Sequence, residues 1–208
     1  MPFINHVDQW QVHHRTRPFS HFLMHGLLPD EGLSLLKQAY PTSGFTQAER
    51  LTGSDKTYQM DVLKVVDKGH TVDLPKWIDP VWQGLVADLT GERYLDALSE
   101  ACGLPLNTSK VDVTFFRFRD GGGISSHLDH PGKLATQIFY FNEAWLDSWG
   151  GGLVILNSQD AQERADVLYP RLDRSVLLVR GERSWHCVEP TSSAASTPRM
   201  TLQLEFWK

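Results

Sequence analysis

The chain has 208 residues, with 20 Lys+Arg against 25 Asp+Glu and a formal net charge of −5 with histidine neutral. That length suits one well-buried domain. The acidic balance argues against a general nucleic-acid binder, which needs a basic face to displace counterions. Nine histidines stand against two cysteines, which excludes a disulfide scaffold and a cysteine-based zinc framework. A metal here would be held by histidine and carboxylate. No segment approaches the roughly 18 consecutive apolar residues of a transmembrane helix, and residues 1–19 lack the apolar run of a secretory signal. Cys102 and Cys187 therefore read as reduced thiols, and the expectation is a cytoplasmic protein with no membrane or nucleic-acid partner.

In chain order, the first half reads helical and the second half reads as strands. Asp30 is a candidate cap for a helix through Leu33, Leu35, Leu36 and Tyr40. Residues 57–66 (TYQMDVLKVV) read as extended chain. Asp79-Pro80 is a second helix start, with proline at the first helical position, followed by Trp82, Leu85, Val86 and Leu89. A third helix is predicted over residues 91–102, with Gly103 at its left-handed C-terminal position. From Val111 the period changes to two: Val111, Val113 and Phe115 alternate with Asp112, Thr114 and Phe116. Residues 135–141, 152–156 and 175–179 are short apolar or aromatic runs. In the last segment Met200, Leu202, Leu204 and Phe206 alternate with Arg199, Thr201, Gln203 and Glu205. Short strands with glycine-rich turns after a helical front indicate a sandwich or barrel braced by helices, a mainly β (α+β) fold. The division expected is a helical support over 1–105 and a β core over 106–208, within one domain.

The segment Ser126-His127-Leu128-Asp129-His130-Pro131 carries the chemistry. In a strand, residues i and i+2 share a face, so His127 and Asp129 would offer an imidazole nitrogen and a carboxylate oxygen to one ion. His186 follows 59 residues later in RSWHCVEP. Two histidines and a carboxylate form the facial triad of non-haem Fe(II) oxygenases, which leaves positions open for co-substrate and oxygen. Taken singly, each has a plainer reading: a surface His–Asp pair and a core histidine. Arg199 begins an otherwise apolar strand. An arginine aimed into a barrel needs an anion, because an unpaired buried charge is costly, and a dicarboxylate co-substrate would supply one. Thr201 shares its face. The plainer reading is an exposed arginine at a strand end. His13, His14, His21 and His25 lack ligand spacing and read as a solvated N-terminal segment.

Taken as a series, these residues resemble the Fe(II)- and 2-oxoglutarate-dependent oxygenases, in particular the prolyl-4-hydroxylase-like branch. The matching stretches are His127-Leu128-Asp129, Tyr140-Phe141-Asn142-Glu143-Ala144-Trp145, Trp149-Gly150-Gly151-Gly152-Leu153, Asp173-Arg174-Ser175-Val176-Leu177, His186, and Arg199-Met200-Thr201. The resemblance covers residues 111–207. Its one departure is the spacing of 13 residues from His186 to Arg199, longer than is common in the family, which the loop TSSAAST at 191–197 absorbs.

The resemblance implies a double-stranded β-helix (jelly-roll, cupin-like) barrel with an N-terminal helical layer. It implies Fe(II) on His127, Asp129 and His186, with 2-oxoglutarate and O2 as co-substrates and ascorbate as a candidate reductant. It places the distal carboxylate of 2-oxoglutarate on Arg199, with Thr201 and Tyr140 adding hydrogen bonds. Tyr140 reads equally well as a packed core aromatic. The implied reaction hydroxylates an unactivated C–H bond and releases succinate and CO2. Asp129 argues against halogenation, while desaturation, cyclisation and epimerisation stay open. Arg117, Arg119, His130, Tyr58 and Trp185 are candidate substrate contacts, although Arg117 and Arg119 read equally well as a solvated basic stripe. The compact chain favours a small amino-acid-like or natural-product substrate, with a prolyl-type peptide or protein as the alternative. Other readings are a zinc hydrolase or cupin dioxygenase, against which Arg199 and Thr201 argue, and a non-catalytic binding barrel. Oligomeric state is not indicated.

Overall fold

The computed structural model describes residues 3–53, 55–71 and 78–208. Its strands are β1 (Gln11–Arg15), β2 (His21–His25), β3 (Thr46–Arg50), β4 (Tyr58–Asp67), β5 (His70–Thr71), β6 (Lys110–Phe118), β7 (Gly123–His127), β8 (Lys133–Tyr140), β9 (Leu153–Leu156), β10 (Arg164–Leu168), β11 (Ser175–Val179), β12 (His186–Val188) and β13 (Arg199–Trp207). The α-helices are α1 (Asp30–Gln38), α2 (Pro80–Thr90) and α3 (Glu92–Cys102). Among the described residues no helix is long and apolar enough to cross a membrane.

Local chemistry accounts for the helices. Asp79 accepts a hydrogen bond from the Val81 amide at 2.9 Å, with Pro80 at the first helical position. Gly103 ends α3 at φ 64°, the left-handed conformation that glycine adopts without a Cβ penalty. Asp30 differs from expectation. It is the first helical residue rather than the cap, and it contributes with Glu31 through the positive end of the helix dipole. Leu35, assigned to the apolar face, is exposed, while Leu33 and Leu36 are buried.

The strands form one continuous antiparallel ladder in the order β1-β2-β11-β8-β13-β6-β4-β7-β12-β9-β10, with β3 and β5 also pairing on β4. It rolls up at β4, which joins β7 through only two register pairs, Tyr58–Ile124 and Gln59–Gly123. Phe118, Ile138, Tyr140, Val176 and Leu178 on one side of the roll pack against Leu153, Ile155, Leu168 and Val188 on the other. This is the double-stranded β-helix expected. The opposite face of the larger half presents Val113, Phe115, Phe139, Leu177, Leu202 and Leu204 to Leu36, Trp82, Leu85, Leu89, Leu95 and Leu98 of the helices.

The expectation of a helical first half is corrected. Five of its elements are strands, and β2 and β4 are integral to the sheet: β2 pairs with β11, and β4 pairs with β6 and β7. The segment 11–25, read as solvated, is a hairpin. His21 is buried there and contacts the Phe19 carbonyl at 2.9 Å. The hairpin's histidine-rich pattern hid its alternation, because imidazoles score as polar while Phe22 and Met24 carry the buried face.

Candidate metal centre

Two neighbouring strands and a turn build the centre. β7 ends at His127 and β12 begins at His186, and these two residues are paired directly in register. A register shift follows: Val188 stands opposite Ile124, so two residues on β12 span three on β7. This bulge turns Ile124 and His127, three apart, to the same interior side as Val188 and His186. Gly123 makes the approach possible, since a Cβ there would sit 2.8 Å from the Val188 carbonyl oxygen. Asp129 lies just beyond β7, in the turn, and not on the strand as the i, i+2 argument supposed. The ligand atoms of His127, Asp129 and His186 nonetheless lie within 4.8 Å of one another, and they are the one such group among the described residues.

Each imidazole is oriented in the same way. Nδ1 of His127 contacts the Ser125 carbonyl at 2.9 Å, and Nδ1 of His186 contacts the Ser184 carbonyl at 2.8 Å. A carbonyl only accepts, so both rings donate from Nδ1 and leave Nε2 with a free lone pair. Burial pushes the His127 pKa down to about 3, with further help from the adjacent His186. Burial likewise lowers His186. Both rings are therefore neutral near pH 7, as metal ligation requires.

Burial alone would raise the Asp129 pKa, but Lys133, the two imidazoles and the Thr136 hydroxyl together hold it well below the usual carboxylate range. Lys133 Nζ donates to Oδ1 at 3.2 Å and Thr136 Oγ1 donates to Oδ2 at 2.8 Å. Lys133 is itself buried and shared with Glu205 Oε1 at 2.6 Å. Lys133 and Thr136 escaped the sequence reading. Their only signal was a lysine and a threonine opening an otherwise apolar run four and seven residues after Asp129.

Arg199 lies across the roll interior and is fully buried. Its Nε donates to the Gly151 carbonyl at 2.8 Å, while Nη1 and Nη2 have no partner among the described residues. The guanidinium carbon lies 4.8 Å from the Phe118 ring centre and 5.1 Å from that of Tyr140. The hydroxyls of Tyr140, Thr201 and Thr191 are also buried without partners among the described residues. One guanidinium face and three hydroxyls left unsatisfied in an apolar wall fit a carboxylate ligand. Thr191 comes from the TSSAAST loop, whose Thr191 amide is held by the Gly122 carbonyl at 2.9 Å. The long spacing before Arg199 thus adds a polar group beside it.

The remaining candidates fall elsewhere. Arg117 and Arg119 point to the helix side of β6, where both engage Asp61 Oδ2, at 2.9 and 2.8 Å. Arg117 also donates to the Thr42 carbonyl and covers the Phe45 ring. Trp185 shares the outer face with Cys187, against Val154 and Leu156. His130 is exposed in the turn, its ring tilted against that of Trp207. Tyr58 is half-buried at the β4–β7 junction, on the interior side with Met60.

The rolled ladder and the His–Asp–His cluster define a class, double-stranded β-helix proteins with a three-donor site inside the roll. Residues 113–207 match the model of the 2OG-Fe(II) oxygenase superfamily. Solved structures similar to the chain include a Pseudomonas putida prolyl-4-hydroxylase (TM-score 0.63, 18% identity, covering 90% of this chain and 92% of that one). A Trichoplax adhaerens prolyl hydroxylase, solved with a hypoxia inducible factor peptide fragment, is similar at TM-score 0.63 and 18% identity, over 90% and 83% of the two chains. A viral collagen prolyl hydroxylase from Paramecium Bursaria Chlorella virus-1, solved as a 2OG complex, is similar at TM-score 0.53 and 14% identity, over 89% and 94%. Among curated proteins none matches significantly. Over residues 113–207 the chain is thus similar to the 2OG-Fe(II) oxygenase superfamily.

Proposed function

We propose that His127, Asp129 and His186 hold Fe(II) and that Arg199, with Thr201 and Tyr140, binds the distal carboxylate of 2-oxoglutarate. The substrate on this reading is a small amino-acid-like or natural-product molecule, hydroxylated at an unactivated C–H bond. The observation that carries it is the buried guanidinium of Arg199, with both terminal nitrogens unpartnered, in the same roll interior as a three-donor cluster. When bound, iron and 2-oxoglutarate supply O2-driven decarboxylation to succinate and CO2 coupled to hydroxylation.

The chain's own residues do the rest. The Ser125 and Ser184 carbonyls fix both histidine tautomers. Lys133 and Thr136 keep Asp129 ionised and oriented. Three protein donors leave other coordination positions open. Phe118 and Tyr140 keep water from the guanidinium, so its attraction for an anion is not diluted by a high dielectric. A carboxylate at Asp129 favours hydroxylation over halogenation.

The donors are 4%, 9% and 6% exposed, a recessed centre suited to a molecule that enters whole. A peptide substrate is the second reading, favoured by the likeness to a prolyl hydroxylase solved with a peptide. The test is anaerobic addition of Fe(II) and then 2-oxoglutarate, which should raise the weak visible charge-transfer band of an iron-chelated keto acid. Metal-loaded protein that gives no band refutes the co-substrate assignment. Stimulation of succinate formation by free amino acids or by proline-containing peptides separates the two substrate readings.

A further inference from the structure

Lys56 stands beside the metal centre, outside both the donor cluster and the Arg199 pocket. It precedes β4, and the β4–β7 register continues toward it. Tyr58 is opposite Ile124, the Ser125 amide donates to the Thr57 carbonyl at 2.9 Å, and the Thr57 amide donates to Ser125 Oγ at 2.8 Å. Lys56 directly precedes Thr57, so its backbone lies beside the segment of β7 that leads to His127. Alternation puts Lys56 on the same side as Tyr58 and Met60, and Met60 packs on the roll interior. Its charge reaches both imidazoles, where it disfavours protonation of His127 and His186.

Lys56 is half-buried, yet the nearby carboxylates are committed elsewhere. Asp55 pairs with Arg50 at 3.6 Å, and Asp61 is shared by Arg117 and Arg119. Asp129 is taken up by Lys133 and Thr136. A half-buried ammonium with no counter-ion among the described residues is suited to a carboxylate arriving from outside. Co-substrate already has its own cation in Arg199.

We infer that Lys56 is a specificity-determining residue that receives a free carboxylate of the small substrate at the mouth of the metal centre. This rests on the iron and 2-oxoglutarate reading of the site. It narrows the substrate class to acids, the α-carboxylate of an amino-acid-like molecule being the fitting source. It also explains why Arg117 and Arg119 need not serve: their charge is spent on Asp61, on the other face of the sheet.

The experiment uses the full chain loaded anaerobically with Fe(II) and 2-oxoglutarate. The probes are free L-amino acids, their C-terminal amides and end-blocked acidic peptides, and the readout is the visible charge-transfer band. At least one free acid should perturb the band while its amide does not. Lys56→Gln should weaken binding of that acid about tenfold or more, the range of a lost charge-assisted hydrogen bond, with 2-oxoglutarate affinity unchanged. Lys56→Arg should restore most of it. Four results overturn the inference: amides binding as well as acids, no free acid perturbing the band, a response confined to acidic peptides, or unchanged acid binding in Lys56→Gln. Weakened 2-oxoglutarate binding in that variant overturns it too, by assigning the lysine to the co-substrate. If no band forms in the unaltered protein, the reading of the iron site itself fails. A band that forms and stays unresponsive refutes only the role of Lys56.

Discussion

Replacing Arg199 by Met separates a binding role from a structural one, because the two roles predict opposite balances. In the unliganded protein the guanidinium is fully buried with two unpartnered nitrogens. Removing such a charge relieves a desolvation penalty of several kcal/mol. The variant loses one charged hydrogen bond, to Gly151 at 2.8 Å, costing about 1.5–3 kcal/mol. The methionine stem retains contact with Phe118 and Tyr140. The terms nearly offset, so the unliganded midpoint should stay level or rise by a few degrees, since about 1 kcal/mol moves a domain of this size by roughly 2–4 °C. Ligand binding behaves differently. Two charge-assisted bonds to a carboxylate are lost, about 3–6 kcal/mol in all, which weakens 2-oxoglutarate by a factor of at least about 100. The assay is thermal unfolding with Mn(II), with and without 2-oxoglutarate. At 100 times its Kd the co-substrate should stabilise the unaltered protein by about 2.7 kcal/mol, and the variant should show almost none of this. A variant that keeps the full 2-oxoglutarate shift, or one whose unliganded form is strongly destabilised, refutes the reasoning.

Two further predictions concern the donors. Asp129→Ala and His186→Ala should each lower metal affinity by more than the 10–100-fold typical of outer supporting groups, and each should end succinate formation; near-normal Mn(II) titration in either removes that residue from the site. The metal-free protein should lose stability as pH falls from about 6.5 toward 3. Below pH 6.5 the unfolded chain takes up protons that His127, with its pKa held to about 3, refuses. At pH 5 this amounts to about 2 kcal/mol from His127 alone, and His127→Gln should flatten the dependence of the denaturation midpoint between pH 7 and 5.

The parts of the molecule legible in sequence were those where one residue decides the local geometry. Pro80 after Asp79 and Gly103 after α3 mark helix ends by their own dihedral demands. β13 and β6 declared themselves by alternation. His127, Asp129 and His186 came together as anticipated, although Asp129 arrives from the turn and the bulge at β7 does the aligning. What stayed hidden depended on long-range pairing. β2 is a strand because β11 lies beside it, and nothing within residues 21–25 says so. Lys56 lies near His127 only because β4 crosses to β7 at the corner of the roll. Arg117 and Arg119 were misplaced for the same reason: strand parity fixed their common face but not which face it was, and Asp61 on β4 decides that.

β13 shows how the fold tolerates a polar interior. Its apolar residues Leu202, Leu204 and Phe206 face the helices, so Arg199, Thr201 and Glu205 face into the roll. A strand covered on both sides is ordinarily apolar on both, so this polarity must be matched by partners. Glu205 meets Lys133, and Lys133 meets Asp129, which closes one end of the strand within the protein. If that buried pair exists only to satisfy itself, exchanging both members for leucine should be harmless everywhere. Replacing a buried ion pair by apolar groups is neutral or stabilising by about 1–4 kcal/mol, whereas removing one member costs about 3–5 kcal/mol. Lys133→Leu alone, which strands both Glu205 and Asp129, should therefore be markedly less stable than the Lys133→Leu, Glu205→Leu double variant, which strands only Asp129 and should unfold between the single variant and the unaltered protein. Metal affinity should not recover with stability, because Asp129 loses its Lys133 contact in both, and a drop of about 10–100-fold is expected. A stable double variant that binds Mn(II) as tightly as the unaltered protein would show that Thr136 alone orients Asp129 and that the lysine serves only its partner Glu205.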